Sequence, residues 1–234
     1  MKGGKLSASE RTELLGTQSP GRLLLRLSGP AITGMLVQSM YNLVDTIFVG
    51  KGVGTLALAA LAVCFPIQML LLGVGKTVGL GAASIISRKL GAGRNDEAGR
   101  IAGGSFVLAA MLGFAISITG LTLENFLAKL FGAGSSVIPF GRDYLSIILL
   151  GGTFFSVTVC SNDIARSEGN AKVAMISMFV GAGVNIVLDP VFIFALGMGI
   201  RGAALATVIA QVCAFLWITR YFSSGKSFLK FDNI

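Results

Sequence analysis

The sequence predicts an all-α membrane protein with six transmembrane helices, and three observations support that fold class. Hydrophobic residues make up 53% of the 234 residues, and the mean hydropathy is +0.80. Only 13% of the residues are charged, about half of the ~25% that is usual in soluble domains. The charges also divide the chain into long uncharged windows. Because a soluble enzyme needs a polar surface, we expect no enzyme here, and the absence of histidine excludes His-dependent triads and zinc sites.

Six windows are close to the ~20 residues that a helix needs to cross a bilayer. They are 27–44, 52–75, 101–123, 144–162, 173–200, which includes one charge, and 202–219. We expect the first span to continue past Asp45 to about Gly50 and the second past Lys76 to about Ile86. Residues 124–133 predict a short interfacial helix. The resulting organisation is a cytoplasmic tail over 1–22, a six-helix unit over 23–223, and a C-terminal tail or shortened linker over 224–234.

The distribution of basic residues predicts the orientation in the membrane. Fourteen lysines and arginines fall on the side that holds both termini, and four fall on the other side. The fourteen are Lys2, Lys5, Arg11, Arg22, Arg26, Arg88, Lys89, Arg94, Arg100, Arg166, Lys172, Arg220, Lys226 and Lys230. Since basic loops stay in the cytoplasm, both termini are expected there. This bias accounts for the net charge of +8, so no nucleic-acid partner is expected, and the lipid bilayer is the expected environment.

Small residues and one lysine stand out inside the spans. The pairs Gly75/Gly79 and Gly99/Gly103 are four residues apart, a spacing that predicts close helix contacts. Lys76 lies inside the second span, and we expect its side chain to extend to the cytoplasmic face in a structural role.

Of eleven acidic residues, only Asp45 and Asp189 fall well inside the predicted spans. A carboxylate at the centre of a bilayer costs about 2.5–3.5 kcal/mol even on a lenient scale, so each needs a partner, a proton or a cation. Gln38, Tyr41 and Asn42 share a helix face with Asp45. On the fifth span, Asn185 shares a face with Asp189, and Pro190 cannot donate to the carbonyl of Ile186.

Depth along the helices brings these groups to one level. At 1.5 Å per residue, Asp45, Asp189 and Thr207 lie roughly 9, 12 and 10 Å below the same end of the bundle. Two carboxylates, an amide, a hydroxyl and a freed carbonyl suit a hard cation such as Na⁺. The alternative is that both aspartates only hold helices together through hydrogen bonds.

Several motifs together resemble the multidrug and toxic compound extrusion (MATE) transporters. These are the run from Asn42 to Gly50, the segment LALAALAVCFP ending at Pro66, SRKLGAG (87–93), ARSEGN (165–170) and NIVLDPVFIF (185–194). The resemblance implies an antiporter of the plasma membrane that exports organic cations or amphiphilic drugs in exchange for Na⁺ or H⁺. It implies no cofactor beyond that coupling ion, and a prokaryotic inner membrane fits the sequence.

The resemblance also implies roles for individual residues. Asp45, Asn185 and Asp189 match the cation site of the family's N-terminal lobe, and the matching hydroxyl on the sixth helix is Thr207. These four residues form the predicted Na⁺ site. Gln38, Tyr41, Asn42, Tyr144 and Asn162 match polar residues that line the substrate cavity.

One departure from the family is length. Family members have twelve helices in two six-helix lobes, whereas this sequence has six predicted spans. It is therefore interpreted as a fragment or as a half-size protein that pairs with a second six-helix lobe. Two alternatives stay open. One is a flippase for lipid-linked oligosaccharides, which would favour a strongly cationic cavity. The other is a non-transporting assembly or regulatory half-protein, in which the acidic residues could be neutralised without consequence.

Overall fold

The computed structural model describes residues 19–132, 134–224 and 227. Within these residues the chain forms seven α-helices and no strand. The helices are α1 (Pro20–Gly52), α2 (Thr55–Gly91), α3 (Asn95–Thr122), α4 (Glu124–Leu130), α5 (Ile138–Ser167), α6 (Ala171–Pro190) and α7 (Gly199–Ser223). A π-helical segment, Val191–Ala195, continues α6. Most of both predicted tails, and the side chains of Arg22 and Arg26, lie outside the described residues.

The six predicted spans correspond in order to α1, α2, α3, α5, α6 and α7, and α4 occupies the place of the short interfacial helix. Within the described ranges, five helices are long and apolar enough to cross a membrane: α2, α3, α5, α6 with its π-helical extension, and α7. The remaining span, α1, has 33 residues and carries a polar face with Gln38, Asn42 and Asp45. The all-α, multi-pass membrane fold is confirmed.

The helices extend beyond the uncharged windows, and on α5 the charges at both window edges are paired. The fourth window ends before Asp163, yet α5 continues to Ser167. Asp143, at the other edge, accepts a 2.7 Å hydrogen bond from Arg201 of α7. A paired charge is tolerated inside a helix, so charge positions alone underestimate helix length.

Tight turns join consecutive helices, so neighbours in sequence run in opposite directions. Gly54 joins α1 to α2 with φ +113°, and Gly169 joins α5 to α6 with φ +75°. A side chain at either position would strain the backbone, because positive φ is readily adopted only by glycine. The end of the bundle with the α1–α2 and α6–α7 turns is called the Lys51 end below, and the opposite end is called the Arg88 end.

The most extensive helix contacts are made by α5, which packs against α2, α3 and α7, while α1 packs mainly along α6. At the α2–α5 contact, a Cβ on Gly75 would lie 2.7 Å from the carbonyl oxygen of Ser156, and one on Gly79 would lie 2.9 Å from Cα of Cys160. Close contact at the Gly75/Gly79 pair is therefore confirmed. Gly99 and Gly103 are buried.

Two apolar clusters close the ends of the bundle. At the Lys51 end, Val49, Ala57 and Ile200 pack with residues of α5. At the Arg88 end, Ile86, Ala98 and Ile218 form a second cluster with Ile164.

Candidate cation and substrate site

A cavity of about 370 Å³ lies between α1, α2, α5, α6 and α7. All five predicted substrate-cavity residues line it: Gln38, Tyr41, Asn42, Tyr144 and Asn162. The apolar part of the wall includes Leu61, Phe65 and Phe155. A cavity with an apolar wall and a few polar groups is typical of sites for amphiphilic small molecules.

The four residues of the predicted cation site lie together at one side of this cavity. The side-chain amide of Asn185 donates to Oδ1 of Asp189 at 3.3 Å and to Oγ1 of Thr207 at 3.2 Å. Asp45 of α1 is close enough to Asp189 for the two carboxyl groups to interact directly. Asp45 and Thr207 line the cavity, whereas Asn185 and Asp189 lie behind them and are 1% and 0% exposed.

Three oxygens of this cluster are buried and have no hydrogen-bond partner in the described part of the chain. They are Oδ1 of Asp45, Oδ1 of Asn185 and Oδ2 of Asp189. Because Asn185 uses its NH₂ group for its neighbours, its carbonyl oxygen is left unpaired. Unpaired acceptors at this depth are costly unless a cation or a proton joins them. The cluster therefore has the donor chemistry of a Na⁺ or H⁺ site.

The composition of the cluster argues against a transition-metal site. Among the described residues there is no group of three or more His, Cys, Asp and Glu side chains that could hold a metal ion. Two carboxylates with amide and hydroxyl oxygens are hard ligands, which prefer hard cations.

Pro190 follows Asp189 directly, and the π-helical segment begins after it.

The sequence analysis missed a charged cluster on the cavity wall. Nζ of Lys76 donates to both oxygens of Asp163, at 2.9 and 3.1 Å, and Nη1 of Arg166 donates to Oδ1 of Asp163 at 2.9 Å. That Lys76 extends to the cytoplasmic face stays a prediction; in the structure its ammonium group binds Asp163 of α5. Asp163, which bounds the fourth window, is a further buried carboxylate that the sequence analysis did not single out, since its side chain is 2% exposed.

This cluster changes the expected polarity of the cavity. The sequence analysis placed two aspartates and one lysine inside the spans, whereas the charged residues among the described lining are Asp45, Lys76 and Arg166. Signals for Asp163 were present in the sequence: it lies three residues before Arg166 on one helix face, and Lys76 lacked a partner. What the sequence did not reveal was the α2–α5 packing that brings them together.

Gln68 is a second addition to the cavity wall. Its Nε2 donates to the hydroxyl of Tyr144 at 3.2 Å, and both side chains line the cavity. Gln68 lies eight residues before Lys76 on α2, which is about 80° around the helix, so this spacing did not mark it as a neighbour of Lys76.

Comparison with known proteins relates this chain to one family. The MatE family model matches residues 30–191. The multidrug export protein MepA of Staphylococcus aureus is 28% identical over 205 residues, which are 88% of this chain and 46% of that protein. A crystal structure of a MATE protein in complex with MaD3S is 36% identical, with a TM-score of 0.88, over 94% of this chain and 50% of that one.

A further solved structure has a different pocket charge according to its description. It is a MOP superfamily transporter from Pyrococcus furiosus, 35% identical with a TM-score of 0.83 over 93% of this chain and 48% of that one. Its binding pocket is described as having reverse polarity that suggests a different function. In each comparison, the chain spans about half the length of the protein it matches.

Proposed function

Since this chain belongs to the MatE family, we propose that it supplies one six-helix lobe of a multidrug antiporter. The antiporter would export organic cations or amphiphilic drugs in exchange for Na⁺ or H⁺. The identity to multidrug export proteins supports this function, and the half-length match supports a second six-helix lobe as partner, either a C-terminal half or a second copy. We place the lobe in a prokaryotic plasma membrane with both termini in the cytoplasm, on the basis of the basic-residue bias.

The observation that carries the proposal is the set of three unpaired buried oxygens beside the cavity. In the proposed mechanism, one Na⁺ or H⁺ binds between Asp45 and Asp189 and removes one negative charge from the pair. Asp45 lines the cavity, so it is the carboxylate that a cationic substrate can also reach. The coupling ion and the substrate therefore compete for the same negative charge, which is what exchange transport requires.

Two positions offer bending points for the associated conformational change. Pro30 lies inside α1, and Pro190 ends the α-helical part of α6. Neither residue can donate the backbone hydrogen bond that keeps a helix straight. We propose that this loss of charge at the aspartate pair lets α1 or α6 bend there and opens the cavity towards the outside.

Ethidium efflux from liposomes that contain the 234-residue chain tests the function. An imposed Na⁺ or pH gradient is the driving force, Asp189→Asn is the test variant, and Asp143→Asn is the control because Asp143 forms a peripheral pair at the Lys51 end. Gradient-driven efflux that Asp189→Asn abolishes and Asp143→Asn retains supports the proposal. Full gradient-driven efflux by Asp189→Asn contradicts the cation-site assignment.

A binding measurement tests the cation site even if one lobe alone does not transport. Bound Na⁺ stabilises a folded protein by about 2.7 kcal/mol at a concentration of 100 times Kd. We expect Na⁺, compared with choline at equal ionic strength, or a fall in pH, to raise the apparent Tm of the purified chain. Asp189→Asn should remove that response. An equal response in both proteins would show that the aspartates only join helices, as the non-transporting alternative predicts.

The lipid-linked oligosaccharide flippase is the second candidate function. Lys76 and Arg166 on the cavity wall favour it, because a pyrophosphate needs cationic partners. Asp163 neutralises part of that charge, and the relative MepA is a multidrug export protein. We therefore rank it below the antiporter.

A further inference from the structure

The charged cluster of Lys76, Asp163 and Arg166 is not used by the proposed cation site. Its two cationic side chains share one carboxylate, so the cluster has a surplus of one positive charge. Asp163 is 2% exposed, whereas the side chains of Lys76 and Arg166 are 38% and 20% exposed. Both basic side chains line the cavity, and Asp163 lies behind them. A molecule in the cavity therefore meets the cations of this cluster and not its carboxylate.

The guanidinium of Arg166 has hydrogen-bond donors that the protein does not use well. Nε is buried and has no partner among the residues that the structure describes. Nη2 points to Sδ of Met178 at 3.6 Å, and a thioether is a weak acceptor. A buried N–H group without an oxygen acceptor is costly, and an anionic oxygen is its strongest partner.

Two neutral polar groups lie on the same part of the wall. Asn162 is one helical turn before Arg166 on α5, and Ser177 adjoins Met178 on α6. Both residues line the cavity, and Oγ of Ser177 is buried without a partner in the described ranges. A serine hydroxyl can donate to an acid group, so the wall offers both charged and neutral donors.

This region is well separated from the aspartate pair. Arg166 contacts Met178 of α6, and Asp189 is eleven residues further along that helix, which corresponds to about 17 Å. The cavity therefore has a negative region at the Asp45 side and a positive region at the Arg166 side, with apolar residues such as Phe155 in its wall.

From this arrangement we propose that Lys76 and Arg166 bind the acid group of an amphiphilic substrate, a carboxylate, sulfonate or phosphate. The inference rests on the proposed transport function for the role of the ligand as a substrate, and on the cavity wall for its chemistry.

A matched pair of dyes tests the acid-group site. Rhodamine B carries a free carboxylate, and its ethyl ester has the same fluorophore without that charge. Binding of each dye to the purified 234-residue chain in neutral detergent is measured by fluorescence anisotropy. We expect Lys76→Gln and Arg166→Gln each to weaken rhodamine B binding by at least about tenfold, the loss of one charge-assisted hydrogen bond, and to change binding of the ester by less than about twofold.

Controls separate a binding role from a folding role. Lys172→Gln removes one exposed positive charge at the Arg88 end, outside the cavity lining, and should leave both dyes unaffected. Arg166→Lys keeps the charge and should retain most of the rhodamine B binding. The contrary result is that the two glutamine variants fold but weaken the binding of both dyes equally, or the binding of neither dye. In either case the cluster is only a structural ion pair and the inference fails.

A lipid arm distinguishes two sources of the acid group. The dye titrations are repeated in nanodiscs of phosphatidylcholine and of phosphatidylglycerol. Equal rhodamine B binding in both lipids supports a soluble substrate acid group. Displacement of the dye by phosphatidylglycerol from wild type, but not from Arg166→Gln, assigns the site to a lipid phosphate and overturns the substrate role. Because no gradient is used, this result is independent of whether ion-coupled efflux is observed.

Discussion

The Gly75→Ala substitution tests the helix contact that positions the cavity wall. A Cβ at residue 75 would lie 2.7 Å from the carbonyl oxygen of Ser156 and 2.8 Å from Cβ of Val159. These approaches are about 0.6–0.7 Å shorter than the 3.4 Å at which ordinary contacts begin. The obstacle includes backbone, so α2 and α5 must separate. Such overpacking costs about 1–3 kcal/mol, and the better helix propensity of alanine offsets up to about 1 kcal/mol.

The apparent Tm in detergent measures this effect. A thiol-reactive fluorophore reports unfolding because Cys64 and Cys160 are buried, while the more accessible Cys213 gives a constant background. We expect Gly75→Ala to lower the Tm by about 2–8 °C. Gly73→Ala is the matched control, because its Cβ would meet no atom within 4 Å, and its Tm should stay the same or rise. A Gly75→Ala protein as stable as this control would refute the close α2–α5 packing.

Three further substitutions have expected outcomes in the same assay. Thr207→Val removes the hydroxyl that accepts a hydrogen bond from Asn185. We expect the free energy of unfolding to fall by about 1 kcal/mol and Na⁺ to raise the Tm less, whereas the control Thr207→Ser keeps the hydroxyl and both properties. An undiminished Tm response to Na⁺ in Thr207→Val would contradict this assignment. Tyr221→Phe removes a 2.8 Å hydrogen bond to the buried Glu168 and should cost about 1–3 kcal/mol; an unchanged Tm would show that the bond is dispensable. Arg201→Gln breaks an exposed ion pair and should not measurably change the Tm.

Local features of the sequence predicted most of the fold. A long apolar segment in lipid forms a helix, because its backbone N–H and C=O groups have no water to bind and must form hydrogen bonds within the segment. The six spans and their order therefore followed from the sequence. Helix ends were less accurate, as α5 shows by continuing past Asp163 to Ser167, because an ion pair with a distant helix makes a charge compatible with the membrane.

The predicted polar residues were also found together, although their function stays a prediction. Asn185 and Asp189 share a helix face, a property of one segment, and the depth of Thr207 follows from the fixed rise of a helix. Regular geometry and short turns were sufficient to place these groups at one level. The 3.2 Å contact between Asn185 and Thr207 agrees with that estimate.

By itself, then, the sequence determined the membrane class, the order of the helices and the level of the aspartates, because each depends on local composition and on helix geometry. Only the tertiary structure decided the polarity of the cavity. Lys76 and Asp163 are 87 residues apart, and they meet because Gly75 and Gly79 let α2 approach α5 closely. The rotation of one helix against another depends on packing along its whole length, so a charge in one segment does not reveal its partner in another.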